Sequence, residues 1–326
     1  MQVVHQGVIL AAGRGTRLHP LTLTRTKAMA PVAGKPIVAR VMETLIQNGI
    51  RDFILLISPD DQEIVPYFQE KFAADAKLQF IVQPQRLGMA NALGLAAPYL
   101  NGSFIMSACD NLTPSEHVAE LLTKFQTTQA NATLSLMAID IEQASSTGII
   151  EWKNGLIQRI VEKPKPEEAP SNISSLPLYV FSPKLLTYLP EVKPSPRREY
   201  ELQDAIQMLI ERDGGVNGVL TPSRVQLTNM ADLLALNQYY LEADQAAAQV
   251  LSQQIGEGVR LLPPVRIEAD VVIGPGCIIG PRVYIEPGCT IGDNVHLTDA
   301  VVLRQIKIAS DKQMTNAVVY ENQCGD

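Results

Sequence analysis

The chain has 326 residues, of which 46% are hydrophobic and 19% charged, and a formal net charge of −7. That is long enough for one large folded domain plus a smaller unit, and its acidic balance gives no electrostatic case for nucleic acid or an anionic membrane as partner. The first residues lack a cationic leader, no apolar run approaches the ~20 residues of a membrane span, and Cys109, Cys277, Cys289 and Cys324 show neither a CxxC pair nor a Cys/His metal spacing. Reduced thiols in the cytoplasm are the expectation.

Taken in chain order, Val8-Ile9-Leu10 reads as a buried parallel strand that ends at Ala11 in small residues. Gly13, Gly15 and Thr16 then open a bend whose amides can approach a ligand, Arg17 follows at once, and Lys27 lies between Pro20 and Pro31. Loop amides with a spaced Arg and Lys suit a triphosphate, because they cradle oxygens and neutralise charge on phosphorus and on the leaving group. A dinucleotide fingerprint would need glycine at position 18, where Leu18 stands. A Walker A loop would need glycine at 29 and Ser or Thr at 36, where Met29 and Pro36 stand. For a lone GxG, an ordinary strand-to-helix turn with a surface arginine would suffice. The whole string GVILAAGRGTRLHPLTLTRTKAMAPVAGKP is far more specific.

Helical spacing follows over 37–48, then a strand over 53–57, a helix over 61–72, a strand over 78–82 and a helix over 89–100. Phe104-Ile105-Met106 ends at Cys109-Asp110-Asn111. This alternation predicts an α/β fold, a Rossmann-like and mostly parallel sheet with helices on both faces. Ligands of such sheets bind beyond the carboxyl ends of the strands, where the first loop, Gln83 and Asp110 all fall. From about residue 132 the pattern shortens. Asn154-Gly155 marks a hairpin, Glu162-Lys163-Pro164 ends it, Leu178–Phe181 is a strand, 199–212 a helix, and the Ala-, Leu- and Gln-rich 230–254 a long helix joining two domains.

The C-terminal section repeats. Leu261, Ile267, Ile273, Ile279, Ile285, Ile291, Leu297 and Leu303 recur six residues apart, with Val265, Val271, Cys277, Val283, Cys289, Val295 and Val301 four positions later. This is the hexapeptide period of a parallel β-helix of roughly three coils. The register is expected to slip after Leu303, through Ile308, Met314 and Tyr320.

With these residues in hand, the chain resembles the sugar-1-phosphate nucleotidylyltransferases, and within them the glucose-1-phosphate thymidylyl- and uridylyltransferase branch. The resemblance implies domains at 1–229 (catalytic), 230–258 (connecting helix) and 259–326 (a left-handed hexapeptide β-helix). It implies that a nucleoside triphosphate and a sugar-1-phosphate are the substrates, that Mg²⁺ is the cofactor, and that the protein is a homo-oligomer. Arg17 and Lys27 would hold the triphosphate and departing pyrophosphate, with Leu10, Ala11, Gly13, Gly15 and Thr16 lining the nucleotide. Asp110 would bind Mg²⁺, although a strand-end Asp can also cap a helix beginning near Pro114. Gln83 and Gly88 match a QxxxxG base pocket for a uracil- or thymine-type base, with Asn91 nearby. Gly148, Glu162 and Lys163 would take the sugar phosphate, unless the two charges merely face solvent. Gln226 stands where relatives carry the second metal-binding Asp, Asn229 and Asp232 being the nearby substitutes, and Pro177 replaces a sugar-pocket glycine. Glu201 and Asp204 either shape that pocket or begin a helix. These departures keep a non-catalytic nucleotide-sugar-binding subunit as the alternative. Acyltransfer by the β-helix, with His296 its lone histidine, is the weaker third reading.

Overall fold

The computed structural model describes residues 3–244 and 248–322; Cys324 and residues 245–247 of the expected connecting helix lie outside them. Two compact units result, one of Met1–Gly13 with Val38–Val225, the other of Arg14–Ile37 with Gln226–Asp326.

The first unit is built on a nine-stranded sheet. Its strands are β1 (Gln6–Ala11), β2 (Asp52–Ile57), β3 (Lys77–Val82), β4 (Phe104–Ala108), β5 (Ala132–Ala138), β6 (Gly148–Lys153), β7 (Leu156–Glu162), β8 (Ile173–Phe181) and β9 (Val216–Leu220). Their order is β3-β2-β1-β4-β8-β5-β9-β7-β6. The block β3-β2-β1-β4 is parallel throughout, as the alternation of strands and helices requires. Val8, Ile9, Phe53, Ile54, Leu55, Leu56, Phe104, Ile105 and Met106 are all fully buried, so both sheet faces are covered and the strands read as unbroken apolar runs. Helices α1 (Ile37–Gln47), α2 (Ile64–Phe72), α3 (Met89–Ala96), α4 (Ser115–Thr128), α5 (Lys184–Tyr188) and α6 (Leu202–Arg212) connect the strands. Beyond β4, strand β8 runs antiparallel to β4 and β5, and β7 antiparallel to β6 and β9.

Several details differ from the sequence reading, among them the helices expected over 61–72 and 89–100, which span Ile64–Phe72 and Met89–Ala96. The helix expected over 199–212 begins at Leu202, because Tyr200 forms a bridge with Pro194 instead. Pro177 lies inside β8, at the register shift between Leu176 and Tyr179, the place where a strand tolerates a residue without an N–H. Strand β9 carried no expectation at all. Its Asn217 is buried, accepting from Thr133 Oγ1 (2.7 Å) and donating to Thr128 Oγ1 (2.9 Å).

In the second unit, helix α7 spans Met230–Ala243. The expected helix over 230–254 therefore stops short, and Gln249–Val250 and Gln254–Ile255 are strands. They pair in parallel with residues of the next turn, Gln254 with Val272 and Ile255 with Ile273, because Ile255 already obeys the six-residue period that continues through Leu261. The stack then continues with parallel partners one coil apart: Leu261 with Ile279, Val265 with Val283, Ile273 with Ile291. The register slip comes earlier than expected. Ile279 pairs with Leu297, but Val283 pairs with Ala300 and Ile285 with Val302. The corner between Leu297 and Ala300 is one residue shorter than that between Ile279 and Val283, so Ala300 rather than Val301 pairs with Val283, and both are buried. Val265, Val271, Cys277, Val283, Cys289 and Val295 are fully buried, and each of the valines contributes roughly 1.5–3 kcal/mol by leaving water.

Candidate active site

In the second unit, Gly15 has φ 64° and starts a short turn, Thr16–Leu18, that leaves Thr16 and Arg17 exposed and Leu18 fully buried. Thr22 Oγ1 donates to the Gly15 carbonyl (2.9 Å). A Cβ at position 15 would lie 2.8 Å from Lys27 Cβ, so the glycine is what lets the bend and the lysine meet. Thus Gly15, Thr16, Arg17 and Lys27 share one loop. That loop is tied down within its unit. Asn237 of α7, fully buried, accepts from Ala33 N (2.7 Å) and donates to Pro31 O (3.0 Å). Gln226 lies in the short strand Val225–Gln226. Asn229 and Asp232 are otherwise employed: they form the capping box of α7, Asn229 accepting from Ala231 N and Asp232 N, and Asp232 accepting from Asn229 N (3.0 Å).

In the first unit, Leu10 and Ala11 end β1, with Gly13 just beyond. Asp110 follows β4 and is buried, as is Asn111 beside it. Arg224, which the sequence reading passed over, donates from Nε to Asn111 Oδ1 (2.7 Å). Burial holds its guanidinium below the usual arginine range, while Asp110 and Tyr179 pull it back up.

Gln83 follows β3 and is 4% exposed. Its side-chain NH₂ is spent on the Gly88 carbonyl (3.3 Å) and on Asn91 Oδ1 (3.0 Å), so Asn91 sets its orientation. Arg86, inside the same QxxxxG stretch, donates to Ala12 O (2.9 Å), Ser58 Oγ (2.6 Å) and Asp60 (2.9 Å), joining the ends of β1, β2 and β3. Tyr200 N donates to Leu87 O (2.7 Å) and Ala90 N to Tyr200 O (3.0 Å), which clamps the Gln83–Asn91 loop to the segment before α6.

Gly148 and Glu162 are register partners at the end of the β6–β7 ladder. Lys163 adopts φ 48°, unusual for a side-chain-bearing residue, and its N–H donates to Thr147 O (3.0 Å). Lys163 Nζ lies 3.4 Å from Glu162 Oε1, and Arg197 Nη2 reaches both Glu162 Oε1 (3.4 Å) and Glu201 Oε1 (2.7 Å). Burial raises the Glu162 carboxyl above its usual value, with Lys163 opposing and Glu201 adding to the rise. Glu201 is the N-cap residue of α6, but its side chain makes no capping hydrogen bond; it accepts instead from Ser195 Oγ (2.9 Å). Gly148, Glu162, Lys163, Glu201 and Arg197 therefore form one cluster, whereas Arg17 and Lys27 belong to the other unit. Among the described residues no group of three or more His, Cys, Asp or Glu side chains could hold a metal, and no helix is long and apolar enough to cross a membrane.

The nucleotidyl transferase family model matches residues 6–222, and the GMPPB C-terminal domain model matches 261–324. The bifunctional protein GlmU of Methanococcus maripaludis is 30% identical over 278 residues, 84% of this chain; the chain spans only 62% of that relative's length. The glucose-1-phosphate thymidylyltransferase of Streptomyces griseus is 28% identical over 281 residues, 85% of this chain and 77% of its own. A solved UDP-glucose pyrophosphorylase complexed with UDP-glucose superimposes with TM-score 0.67 at 21% identity, covering 74% of this chain and all of that one, which establishes a common fold.

Proposed function

The chain belongs to the nucleotidyl transferase family, and from that premise we propose that it transfers a nucleotidyl group from dTTP or UTP to a hexose-1-phosphate. A phosphate oxygen of the sugar attacks the α-phosphorus, the bond from that phosphorus to the bridging oxygen breaks, and pyrophosphate leaves with the electron pair. No covalent intermediate is required, so positioning and charge neutralisation carry the catalysis. The observation that carries this reading is the loop in which Gly15 packs on Lys27 beside the exposed Arg17, a bend with two cations suited to a phosphate chain. Arg17 takes the triphosphate and Lys27 the departing pyrophosphate. Gln83 and Gly88 line the base, with Leu10, Ala11, Gly13, Gly15 and Thr16 along the nucleotide. Lys163 takes the sugar phosphate, and Gly148 and Glu162 lie under the sugar.

Asp110 is a hard oxygen donor at a strand end, and one carboxylate with substrate oxygens fits Mg²⁺. When bound there, the ion would neutralise charge on the phosphates. The residues 1–229 are assigned catalysis, 230–258 the connection and 259–326 a left-handed hexapeptide β-helix. The parallel pairing of successive coils supports a repeat stack that reaches back to Gln249, and its left hand follows from the family resemblance. Assembly of copies through this stack is part of the proposal, since its last strand, Gln313–Val319, pairs on one side only among the described strands. The buried free thiols of Cys109, Cys277 and Cys289 support a cytoplasmic setting.

Pyrophosphate release with Mg²⁺, dTTP or UTP and a panel of sugar-1-phosphates tests the reading. Arg17→Ala and Asp110→Asn are each expected to lower turnover by about 10²–10³-fold. The uncharged Gln226 favours the second reading, a nucleotide-sugar-binding regulatory subunit. Tight binding of a nucleotide sugar with no substrate pair turning over would establish that one instead.

A further inference from the structure

The Arg224 guanidinium stands just beyond β9, a strand that runs parallel to β5 and so, across the antiparallel β8, in the same sense as β4. The carboxyl ends of β4 and β9 therefore open on one edge of the sheet, the edge where such sheets take ligands. A turn fixes the approach: Thr221 N donates to Leu136 O (2.8 Å), and Thr221 Oγ1 to Ser223 O (2.8 Å). Arg224 is half-buried, and its Nε donates to Asn111 Oδ1 (2.7 Å). That bond also settles which end of the Asn111 amide is which. Asn111 is 2% exposed, and its Nδ2 is a buried donor with no hydrogen-bond partner among the described residues. Arg224 donates to no other described residue, so both of its terminal NH₂ groups remain available.

From this arrangement we propose that Arg224 and Asn111 form an oxyanion subsite at the carboxyl end of β4. The inference rests on the nucleotidyl-transfer reading and deepens it. Every open polar group of the pair is a donor, so its complement is an acceptor, and a planar guanidinium matches the paired oxygens of a carboxylate or a phosphate. Counter-charge from the protein falls short. Tyr179, close to Arg224, is fully buried and bonded to Ser175 Oγ (2.5 Å), and burial holds its phenol far above the usual range, so it stays neutral. Asp110 offsets part of the charge, yet burial still leaves the guanidinium below the usual arginine range. With the Asp110 carboxylate given to a metal, the guanidinium falls to the ligand. One oxyanion then answers both Arg224 and the orphaned Asn111 Nδ2. Two sources offer such oxygens, a phosphate of the nucleotide and a carboxylate carried by the sugar. Arg17, Lys27 and Lys163 already serve the phosphates in that reading, which gives the sugar carboxylate the stronger claim.

The test is calorimetric binding of two pairs of probes to the wild-type chain and to Arg224→Gln, whose amide can still donate to Asn111 but carries no charge. Glucose 1-phosphate and glucuronic acid 1-phosphate differ only by the sugar carboxylate; uridine and UDP differ only by the phosphates. With a sugar carboxylate in the subsite, the wild type binds glucuronic acid 1-phosphate about tenfold or more tightly than glucose 1-phosphate, Arg224→Gln binds the two within about twofold, and UDP is unmoved. With a nucleotide phosphate there, Arg224→Gln binds UDP about tenfold or more weakly than the wild type does, while uridine stays within about twofold. Either result upholds the subsite and names its source. Equal binding of every probe by the two chains, or a loss as large for uridine as for UDP, overturns it. Should Arg224→Gln fail to fold, Arg224→Lys decides, since it keeps the charge and loses the fork: the preferred oxyanion must weaken about threefold or more with uridine unchanged, and unaltered binding overturns the subsite. Oxyanion binding that depends on Arg224, without turnover of any triphosphate pair, sustains the subsite and removes the catalytic reading. Turnover with the same kcat/KM in Arg224→Gln and the wild type, for both sugar phosphates, removes the subsite alone.

Discussion

Arg25 places Nη1 on Glu286 Oε1 (2.7 Å) and Nη2 on Glu286 Oε2 (3.1 Å), with side-chain exposures of only 5% and 6%. The arginine belongs to the loop that carries Arg17 and Lys27, the glutamate to the C-terminal stack. Glu286 Oε2 also accepts from Arg304 N (3.0 Å), and Arg304 Nη2 donates to Thr24 O (2.7 Å). Removing one member of such a buried pair strands a charge, at a cost of about 3–5 kcal/mol, whereas replacing both by apolar groups is far milder. Glu286→Met is therefore expected to lower the unfolding midpoint sharply and to reduce turnover, and the double variant Arg25→Met/Glu286→Met to recover much of the stability. A denaturant series on the two single variants and the double closes the cycle. Strict additivity would show that the two side chains do not act together.

Gly88 and Gly94 make a matched pair. At Gly88 φ is 101° and an added Cβ would lie 2.6 Å from Tyr200 O and 2.8 Å from Tyr200 N, backbone atoms that cannot step aside. At Gly94, inside α3, an added Cβ meets nothing within 4 Å. Gly88→Ala should loosen the Leu87–Tyr200 clamp and weaken nucleotide binding by tenfold or more. Gly94→Ala should stabilise the chain by up to about 1 kcal/mol, since alanine is the better helix former. Chemical denaturation together with nucleotide titration checks both.

The parallel core was legible because burial on two faces leaves continuous apolar runs such as Phe53–Ile57, and the stack because its period survives in Ile267, Ile273 and Ile279. Strand β9 was hidden by Asn217, which is buried on side-chain hydrogen bonds, and by Gly218, where a Cβ would strike Leu136. The short corner before Ala300 was hidden because Val301 fits the six-residue period as well as Ala300 fits the pairing. The 230–254 helix was overdrawn because alanine and glutamine propensity outweighed the single periodic Ile255. Arg86, Arg197 and Arg224 had no local signature at all. Each gains its role only from partners brought near by the fold, Ala12, Glu162 and Asn111 respectively.

Arg224 bears on the metal proposed at Asp110. Its guanidinium is held through Nε to Asn111 Oδ1 (2.7 Å) and lies in the field of Asp110. A fixed positive charge there opposes a second cation. Arg224→Met is expected to tighten Mn²⁺ binding about fivefold or more, which corresponds to an interaction of at least roughly 1 kcal/mol. Electron paramagnetic resonance of free Mn²⁺ reads this without any dependence on turnover. Unchanged or weaker binding would mean that Arg224 does not influence a metal at Asp110.

Glu162 ties stability to pH with a sign opposite to that of most surface carboxylates. Burial raises its carboxyl above the usual 4.5, and the nearby Lys163 and Arg197 offset only part of that. The folded chain therefore holds this proton more tightly than the unfolded chain does. Stability falls as pH climbs from 4.5 through the raised folded value, and above that value the whole penalty is in force. Glu162→Gln removes the ionisation. The variant should match or exceed the wild type in unfolding midpoint at about pH 8, lose that relative advantage at about pH 4, and bind sugar phosphate less well at both. Thermal unfolding of the two chains across this range decides the matter, and a variant that is weakened more at the higher pH than at the lower would show that the Lys163 and Arg197 contacts outweigh burial.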